Sequence, residues 1–265
     1  MSGPAAPVAQ ISMNDWPEVA PAWDGLWSLV RDALRARGLT APDALDRGRP
    51  AREVWTDPGL VLALTCGLPF VRGETGAARM LGAPDFAVPG CPPGHYRSAL
   101  VVRADDGREG LAAFRGARLA VNGPDSQSGA QAIMQALAES GEGGRFFGAV
   151  LRTGAHEGSA AAVAEGRADI AAIDWTTWRL IEAHRPSAAV LRVMEATAPV
   201  PSLPFVTALD VPPARDAVAE AVAAAPGAVR APLHLVGFVP WEEADYAVLI
   251  ARRRMARAVS EAHGL

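Results

Sequence analysis

The sequence predicts an α/β protein of two lobes, each a mostly parallel sheet flanked by helices. The first observation is length, because 265 residues suffice for two domains of ordinary size. The second is alternation: between residues 118 and 194, short apolar runs of strand character alternate with helical runs, as in sheets whose strands are joined by helices. The third is that two helical stretches close the chain, and these must pack on strands formed earlier.

The first series of elements covers residues 8–102. An apolar run at 8–13 precedes a helix that ends at Gly38, a typical C-cap residue. Its apolar stripe recurs at helical spacing and contains Trp23, Leu26, Trp27, Val30 and Leu34. Strand-like runs follow at 60–65 and 99–102.

The second series alternates regularly between strand and helix. Its predicted strands are 118–121, 147–152, 169–173 and 190–194, and its predicted helices are 130–138, 159–165 and 176–184. Prolines then punctuate the chain before an apolar run at 205–209. Helical stretches are predicted at 214–224 and about 241–262.

The simplest arrangement of these series is a discontinuous first lobe with a second lobe inserted into it. The first lobe would contain 1–102 plus 205–265, and the second 103–204. Extended crossings at 99–103 and 203–209 would form a hinge. A ligand would then bind in a cleft between the lobes, at the carboxyl ends of strands and the amino ends of helices.

Composition excludes several classes of function. All 25 basic residues are arginine and the net charge is −4, so no concentrated basic face for nucleic acid is expected. The longest apolar runs, 60–64 and 247–251, are far shorter than the roughly 20 residues of a membrane span, so no membrane insertion is expected. The five histidines lack metal-ligand spacing, and neither a metal nor another cofactor is predicted.

The compartment stays open at this point. Residues 1–10 show neither a basic nor an apolar region of a signal peptide, which leaves a cytoplasmic protein and a mature exported form as alternatives. Cys66 and Cys91 could form a disulfide if the fold brings them together, but their spacing is not a metal or redox motif.

Two turns carry the predicted chemistry. Residues 122–129 read Asn-Gly-Pro-Asp-Ser-Gln-Ser-Gly, after a predicted strand and before a helix. Small polar residues at a helix start offer backbone N–H groups and the hydroxyls of Ser126 and Ser128 to an anion, without any lysine. Residues 153–159 repeat the arrangement and add the imidazole of His156 and the hydroxyls of Thr153 and Ser159. Ordinary helix capping is the alternative interpretation.

Asp174 ends the third predicted strand of the second series. A carboxylate accepts hydrogen bonds, so it would select a ligand that still carries an O–H or N–H. Capping of the following helix is the alternative. Ser126 or Ser128 with His156 and Asp174 could also form a nucleophile, base and orienter, so a hydrolase or transferase is the alternative function, although no GxSxG is present.

Aromatic residues divide between core and candidate pocket. Trp23 and Trp27 lie on the apolar stripe of their helix and are predicted to be core. Tyr96 is one of only two tyrosines and its hydroxyl would suit a polar ligand, with core packing as the alternative.

An ordered set of short segments extends along the chain. It comprises Thr-Cys-Gly-Leu-Pro at 65–69, Gly-Cys at 90–91, Tyr-Arg-Ser at 96–98, the turns at 122–129 and 153–159, the strand 168–174 and Leu-Pro at 203–204. This set resembles the substrate-binding proteins of phosphonate, phosphite and phosphate ABC transporters, which have the type 2 periplasmic-binding fold. The resemblance spans about 65–205.

The resemblance implies a bacterial, non-enzymatic protein whose hinged lobes close on a tetrahedral oxyanion. The ligand-binding residues it implies are Tyr96, from the first lobe, and Ser126, Gln127, Ser128, His156 and Asp174. It implies a periplasmic location and an ABC permease as partner, and we expect a monomer. A stand-alone sensor stays an alternative to a transport component. Relatives carry a tyrosine near Met13 and a glutamine at the position of Leu64, so the identity of the oxyanion is open.

Overall fold

The chain divides into two compact units in the computed structural model, which describes residues 5–265. The first unit comprises the described residues up to His95 together with Pro201–Ala247. The second comprises Tyr96–Val200 and Val248–Leu265. The chain therefore passes between the units at three points.

The first unit is built on a five-stranded sheet. Its elements are β1 (Val8–Gln10), α1 (Ala20–Ala36), α2 (Ala51–Trp55), β2 (Leu60–Leu64), α3 (Gly67–Val71), β3 (Arg79–Asp85), β11 (Phe205–Thr207), α7 (Val211–Ala224), α8 (Gly227–Leu233) and β12 (Gly237–Val239). The sheet order is β1-β2-β11-β3-β12, with β1 and β2 parallel. The other recorded pairings, β11 with β2 and with β3 and β12 with β3, are antiparallel.

Helix α1 follows its sequence pattern closely. All five residues of the predicted stripe are buried, and α1 packs against α7 and α8. Gly38 has φ +75°, its N–H donates to the carbonyl of Arg35, and the N–H of Leu39 donates to the carbonyl of Leu34. These two bonds form a Schellman motif, which requires the left-handed conformation that glycine adopts without strain.

The second unit is built on another five-stranded sheet. Its elements are β5 (Ser98–Arg103), β6 (Arg118–Val121), α4 (Ala132–Glu139), β7 (Ala149–Arg152), α5 (His156–Ala164), β8 (Ile170–Asp174), α6 (Trp175–His184), β9 (Leu191–Ala196), α9 (Ala247–Met255) and α10 (Arg257–Ala262). The sheet order is β7-β6-β8-β5-β9. Strand β6 is parallel to β7 and β8, while β5 is antiparallel to β8 and β9. The predicted α/β class is confirmed, with one inverted strand inside a sheet whose other four strands run the same way.

The boundaries of the two units differ from the expected lobes. The short strands β4 (His95–Tyr96) and β10 (Val200–Pro201) pair with each other at two of the three crossing points. The segments 99–103 and 203–209, expected as crossings, instead contain most of β5 and all of β11, which are interior strands of their sheets.

The C-terminus also differs, because 248–265 belongs to the second unit rather than the first. The predicted helix 241–262 is divided into a 3₁₀ turn at Glu243–Tyr246, α9 and α10. Val259 is buried in the core that contains Phe146 and Phe147. His263 Nε2 accepts the backbone N–H of Phe146 at 3.0 Å and that of Phe147 at 2.9 Å. The apolar face of a terminal helix can be buried by either core, so the helical pattern does not say which unit it joins.

Membrane-spanning helices, a disulfide and metal-binding clusters were each considered in the sequence and can be checked over the described residues. No helix within 5–265 is long and apolar enough to cross a membrane. No disulfide joins Cys66 and Cys91. Over the same residues, no group of three or more His, Cys, Asp or Glu side chains is placed to hold a metal ion.

Candidate anion-binding site

Three helical segments begin at one end of the second sheet. Strands β7, β6 and β8 are parallel neighbours, so their carboxyl ends lie together, and we name this end the carboxyl edge. The segments that follow these strands are α5, a π-helical turn at Gln127–Gln131 that leads into α4, and α6. The first N–H groups of a helix lack intrahelical acceptors and carry partial positive charge. The carboxyl edge can therefore attract an anion without lysine.

Strand register brings four polar side chains to this edge. Ser98 on β5 lies opposite Asp174 on β8. The Ser98 hydroxyl donates to the backbone carbonyl of Ser128 at 2.7 Å, and Ser128 Oγ lies 2.8 Å from His156 Nε2. All four residues are buried. Of the predicted site residues, the structure thus brings Ser128, His156 and Asp174 together and adds Ser98, whose contacts depend on register and were not predicted.

The π-helical turn owes its shape to Ser126, Gly129 and Asn122. Ser126 Oγ accepts the N–H of Gly129 at 3.0 Å, so the capping alternative describes this hydroxyl. A Cβ on residue 129 would lie 1.9 Å from Asn122 Oδ1, so only glycine fits there without displacing the amide. The N–H of Gln131 donates to the carbonyl of Ser126, five residues back. The helix predicted at 130–138 is therefore preceded by a π-helical turn, which is wider than an α-helical turn, and α4 itself begins at Ala132.

His156 is the first residue of α5 and is held in a neutral state by its surroundings. Burial is the largest influence on the ring and lowers the pKa of His156 below its ordinary value, while the Asp174 carboxylate and the Ala172 carbonyl act in the opposite direction. Asn122 Nδ2 lies 3.4 Å from Nε2 and can only donate, which favours Nε2 as acceptor. Nδ1 has no hydrogen-bond partner of normal geometry among the described residues.

Asp174 combines a cap with an unused acceptor. Its Oδ1 accepts the N–H groups of Thr176 at 2.9 Å and Thr177 at 3.0 Å, and also the Thr176 hydroxyl. Its Oδ2 is buried and has no hydrogen-bond partner within residues 5–265. A buried carboxylate oxygen without a donor is unfavourable, because its lost hydration is not replaced. The helix cap uses Oδ1 only, and Oδ2 can accept a hydrogen bond from a ligand O–H or N–H.

Tyr96 and Gln127 lie deeper in the unit. Tyr96 is buried and belongs to the second unit, not to the first as the resemblance implied. Gln127 Nε2 donates to Gln135 Oε1 at 3.1 Å in a buried amide pair. Both residues line a cavity of about 10 Å³, close to the smallest volume that holds one water molecule. Gln127 can face the carboxyl edge through its backbone rather than its side chain.

The hydroxyls of the second turn are engaged in the protein. Thr153 Oγ1 lies within hydrogen-bond distance of Ser159 Oγ at 2.7 Å, of the Val121 carbonyl at 3.1 Å and of the Ala155 carbonyl at 3.0 Å. Ser159 Oγ in turn donates to the carbonyl of Ala155. The expectation that both hydroxyls are offered to an anion is replaced by a structural role, since they tie the loop to β6 and to the start of α5.

The two α/β units and the edge where three helical segments begin define a class, the two-lobed periplasmic-type binding proteins. Residues 62–246 match the family described as ABC transporter, phosphonate, periplasmic substrate-binding protein. This match covers more than half of the sequence, and the chain belongs to this family. The resemblance inferred from the ordered motifs is confirmed.

Solved structures with the same fold include phosphonate-transport proteins. PhnD1 from Prochlorococcus marinus, in complex with methylphosphonate, has a TM-score of 0.72 at 15% identity, covering 97% of this chain and 100% of that one. A binding protein component of an ABC phosphonate transporter from Pseudomonas aeruginosa, PA3383, has a TM-score of 0.71 at 17% identity, covering 95% and 87%. XAC2383 from Xanthomonas citri, bound to chloride ion, has a TM-score of 0.67 at 19% identity, covering 97% and 99%. No curated protein matches the sequence.

Proposed function

We propose that the protein binds a small oxyanion of the phosphonate or phosphate class at the carboxyl edge, as the solute-binding component of an ABC transporter or as a stand-alone sensor. The observation that carries this proposal is that the Ser128–His156 pair and Asp174, whose Oδ2 is unused, lie at one edge of the sheet where three helical segments begin. Helix starts and hydroxyls supply donors for a negative ligand. Asp174 supplies a negatively charged acceptor.

The acceptor argues for a ligand that keeps a proton. A fully ionised oxyanion would bring its negative charge against the Asp174 carboxylate, which is unfavourable in a buried site. Phosphate and phosphonate monoanions retain an O–H that can donate to Oδ2, and such charge-assisted bonds are among the stronger ones. We therefore place phosphonate and phosphate ahead of sulfate.

The donors are divided between side chains and backbone. A hydroxyl can rotate, so the Ser128 proton can turn from His156 Nε2 to a ligand oxygen. Ser126 and the backbone of Gln127 contribute from the π-helical turn, where the Ser126 hydroxyl is already a cap but keeps its own proton to donate. Tyr96 stays a predicted contact.

One distance favours a second candidate function. Ser128 Oγ and His156 Nε2 are 2.8 Å apart, a separation typical of a nucleophile and its base. A triad also needs a carboxylate on the other ring nitrogen. His156 Nδ1 has no such partner within 5–265, and Asp174 Oδ1 caps α6 instead. We therefore favour binding without catalysis. Hydrolysis of phosphoesters or carboxylic esters that disappears in Ser128→Ala would favour the enzyme instead.

Transport, location and motion form the rest of the proposal. A family of periplasmic substrate-binding proteins supports a periplasmic location and an ABC permease as partner. We expect a monomer whose two lobes close on the ligand. Small-angle X-ray scattering tests this directly, because closure lowers the radius of gyration when methylphosphonate is added. An unchanged radius at saturating ligand would contradict hinged closure but not binding.

The direct test is titration calorimetry with methylphosphonate, phosphate and sulfate on the full chain. We expect Ser128→Ala to weaken methylphosphonate binding by about tenfold or more, since a hydrogen bond to a charged group contributes about 1.5–3 kcal/mol. The matched control is Ser140→Ala, because the Ser140 hydroxyl bonds to the carbonyl of Leu137 away from the carboxyl edge. An unchanged dissociation constant in Ser128→Ala would contradict the assignment.

A further inference from the structure

Arg97 lies beside the proposed anion site and is not one of the residues proposed to bind the oxyanion. It precedes Ser98 on the chain, and its backbone carbonyl accepts the N–H of Trp175, the first residue of α6, at 3.2 Å. The guanidinium carbon of Arg97 lies 5.2 Å from the centroid of the Trp175 ring. Because Trp175 directly follows Asp174, this cation–π pair lies one residue beyond the carboxylate at the carboxyl edge.

The guanidinium of Arg97 lacks the partners that other arginines of the unit have. Arg118, for example, pairs with Asp169 at 2.7 Å. The Nε of Arg97 is buried without a hydrogen-bond partner, and the structure records no ion pair between Arg97 and any carboxylate of residues 5–265. Arg97 and Trp175 are both half-buried. A cation that has lost part of its hydration is stabilised only in part by an aromatic face, and a bound anion would complete its environment.

We propose that Arg97 and Trp175 form a second anion-recognition point and that the preferred ligand carries a second anionic group besides its phosphonate or phosphate. This inference rests on the proposed function. The protonated oxyanion occupies Asp174, Ser128 and His156, while the second group, a carboxylate in the simplest case, reaches the guanidinium. The planar fork of arginine binds carboxylate and phosphate oxygens in pairs, which lysine cannot reproduce.

Asp174 belongs to the first point only, and this gives the two points different selectivity. Its carboxylate repels a fully ionised group close by and favours the end of the ligand that carries a proton. Arg97 favours the end that is fully ionised. A ligand with one strongly acidic end and one oxyanion that keeps a proton satisfies both, whereas methylphosphonate satisfies only the first point.

The test compares 2-carboxyethylphosphonate with propylphosphonate, which carries a methyl group where the first carries its carboxylate. Titration calorimetry on the full chain should show 2-carboxyethylphosphonate bound about tenfold tighter, as expected for one charge-assisted bond. Arg97→Gln should abolish this preference and leave propylphosphonate within about twofold. Arg97→Lys should keep part of the preference, because it retains the charge but not the fork. The control is Arg254→Gln, which removes one positive charge on α9.

Each outcome bears on one of the two proposals. Equal affinity of the wild type for the two ligands, or an equal loss for both in Arg97→Gln, would overturn the role of Arg97 and leave the oxyanion site intact. Failure of the wild type to bind either ligand would overturn this inference, and failure to bind methylphosphonate and phosphate as well would overturn the proposed function with it. Circular dichroism and thermal unfolding of each variant show whether its fold is retained, and Arg97→Lys is informative if Arg97→Gln does not fold.

Discussion

The two ends of the second sheet differ in how their charged groups are paired. At the end where β6 and β8 begin, a pocket of about 300 Å³ is lined by three arginines and three aspartates. Each arginine there pairs with an aspartate, in the pairs Arg103–Asp105, Arg108–Asp106 and Arg118–Asp169. At the carboxyl edge the polar groups are buried and mostly uncharged, and Asp174 Oδ2 and Arg97 Nε have no partner among the described residues.

This difference is the reason that we propose the carboxyl edge, and not the charged pocket, as the anion site. Solvent-exposed pairs such as Arg118 with Asp169 already satisfy each other and contribute little to the unfolding free energy. A small anion that enters that pocket must compete with an aspartate for every arginine. At the carboxyl edge the protein itself does not complete the hydrogen bonding of Asp174, so a ligand can donate to Oδ2 without displacing a protein partner.

The largest expected effect comes from filling the space at Gly129. In Gly129→Ala the new Cβ meets Asn122 Oδ1, and displacing that amide deforms the π-helical turn. We expect a loss of about 1–3 kcal/mol in unfolding free energy, as for other overpacked sites, together with weaker methylphosphonate binding. Urea unfolding and calorimetry measure the two effects.

The matched control for this change lies in the same turn. A Cβ on Gly123 would meet nothing within 4 Å. Gly123→Ala should therefore change stability by less than about 0.5 kcal/mol. Equal destabilisation by the two variants would contradict the close fit of Gly129 against Asn122.

Asp174→Asn should change selectivity more than stability. Asparagine caps a helix about as well as aspartate, so the start of α6 should persist. An amide no longer favours a protonated ligand. The ratio of methylphosphonate affinity below the second pKa of the ligand to its affinity above that pKa should therefore fall by about tenfold, because one charge-assisted hydrogen bond is lost. An unchanged ratio would mean that Asp174 is only a cap.

Stability should decrease as pH falls below about 6.5, the ordinary pKa of histidine. The pKa of His156 is lowered in the folded protein, chiefly by burial. Below 6.5 the unfolded chain therefore binds a proton that the folded protein does not, which costs up to about 1.4 kcal/mol per pH unit until the folded pKa is reached. Above 6.5 this contribution is constant.

Thermal unfolding between pH 7.5 and about 5.5 measures this effect across the ordinary histidine pKa. His156→Asn should reduce the dependence of the unfolding temperature on pH. His184→Asn, at an exposed position, should leave that dependence as in the wild type. If the two variants gave the same profile, burial of His156 as a neutral ring would be contradicted.

The smallest effect is expected at the opposite end of the sheet. Asp169→Asn removes the partner of Arg118 and should lower stability by no more than about 1 kcal/mol, because the pair is partly exposed. Methylphosphonate affinity should not change. A loss of affinity similar to that in Ser128→Ala would move the anion site to the charged pocket.

Local pattern was sufficient for much of the fold. The stripe of α1, its end at Gly38 and strand β6 are all visible in short stretches of sequence, because they depend on neighbouring residues. The sequence could not show which of the two units α10 packs on, because this depends on which hydrophobic core buries Val259. The inverted strand β5 likewise depends on pairing between distant segments.

The candidate site shows the same division. Ser128, His156 and Asp174 were identifiable because each lies at the start of a helical segment after a strand. Ser98 and Arg97 were not, because only the register of β5 on β8 brings them to Asp174 and Trp175. Thr153 and Ser159 have suitable hydroxyls, yet they bond to each other, which no spacing rule shows.

The central claim is that an oxyanion binds beside His156, and nuclear magnetic resonance of the imidazole rings tests it most directly. Titration of the isotope-labelled full chain with methylphosphonate should move the ring nitrogen signals of His156 in a saturable manner. The signals of His184 and His263, which belong to the same unit, should stay in place. Saturable binding that leaves the His156 signals unchanged would contradict the account.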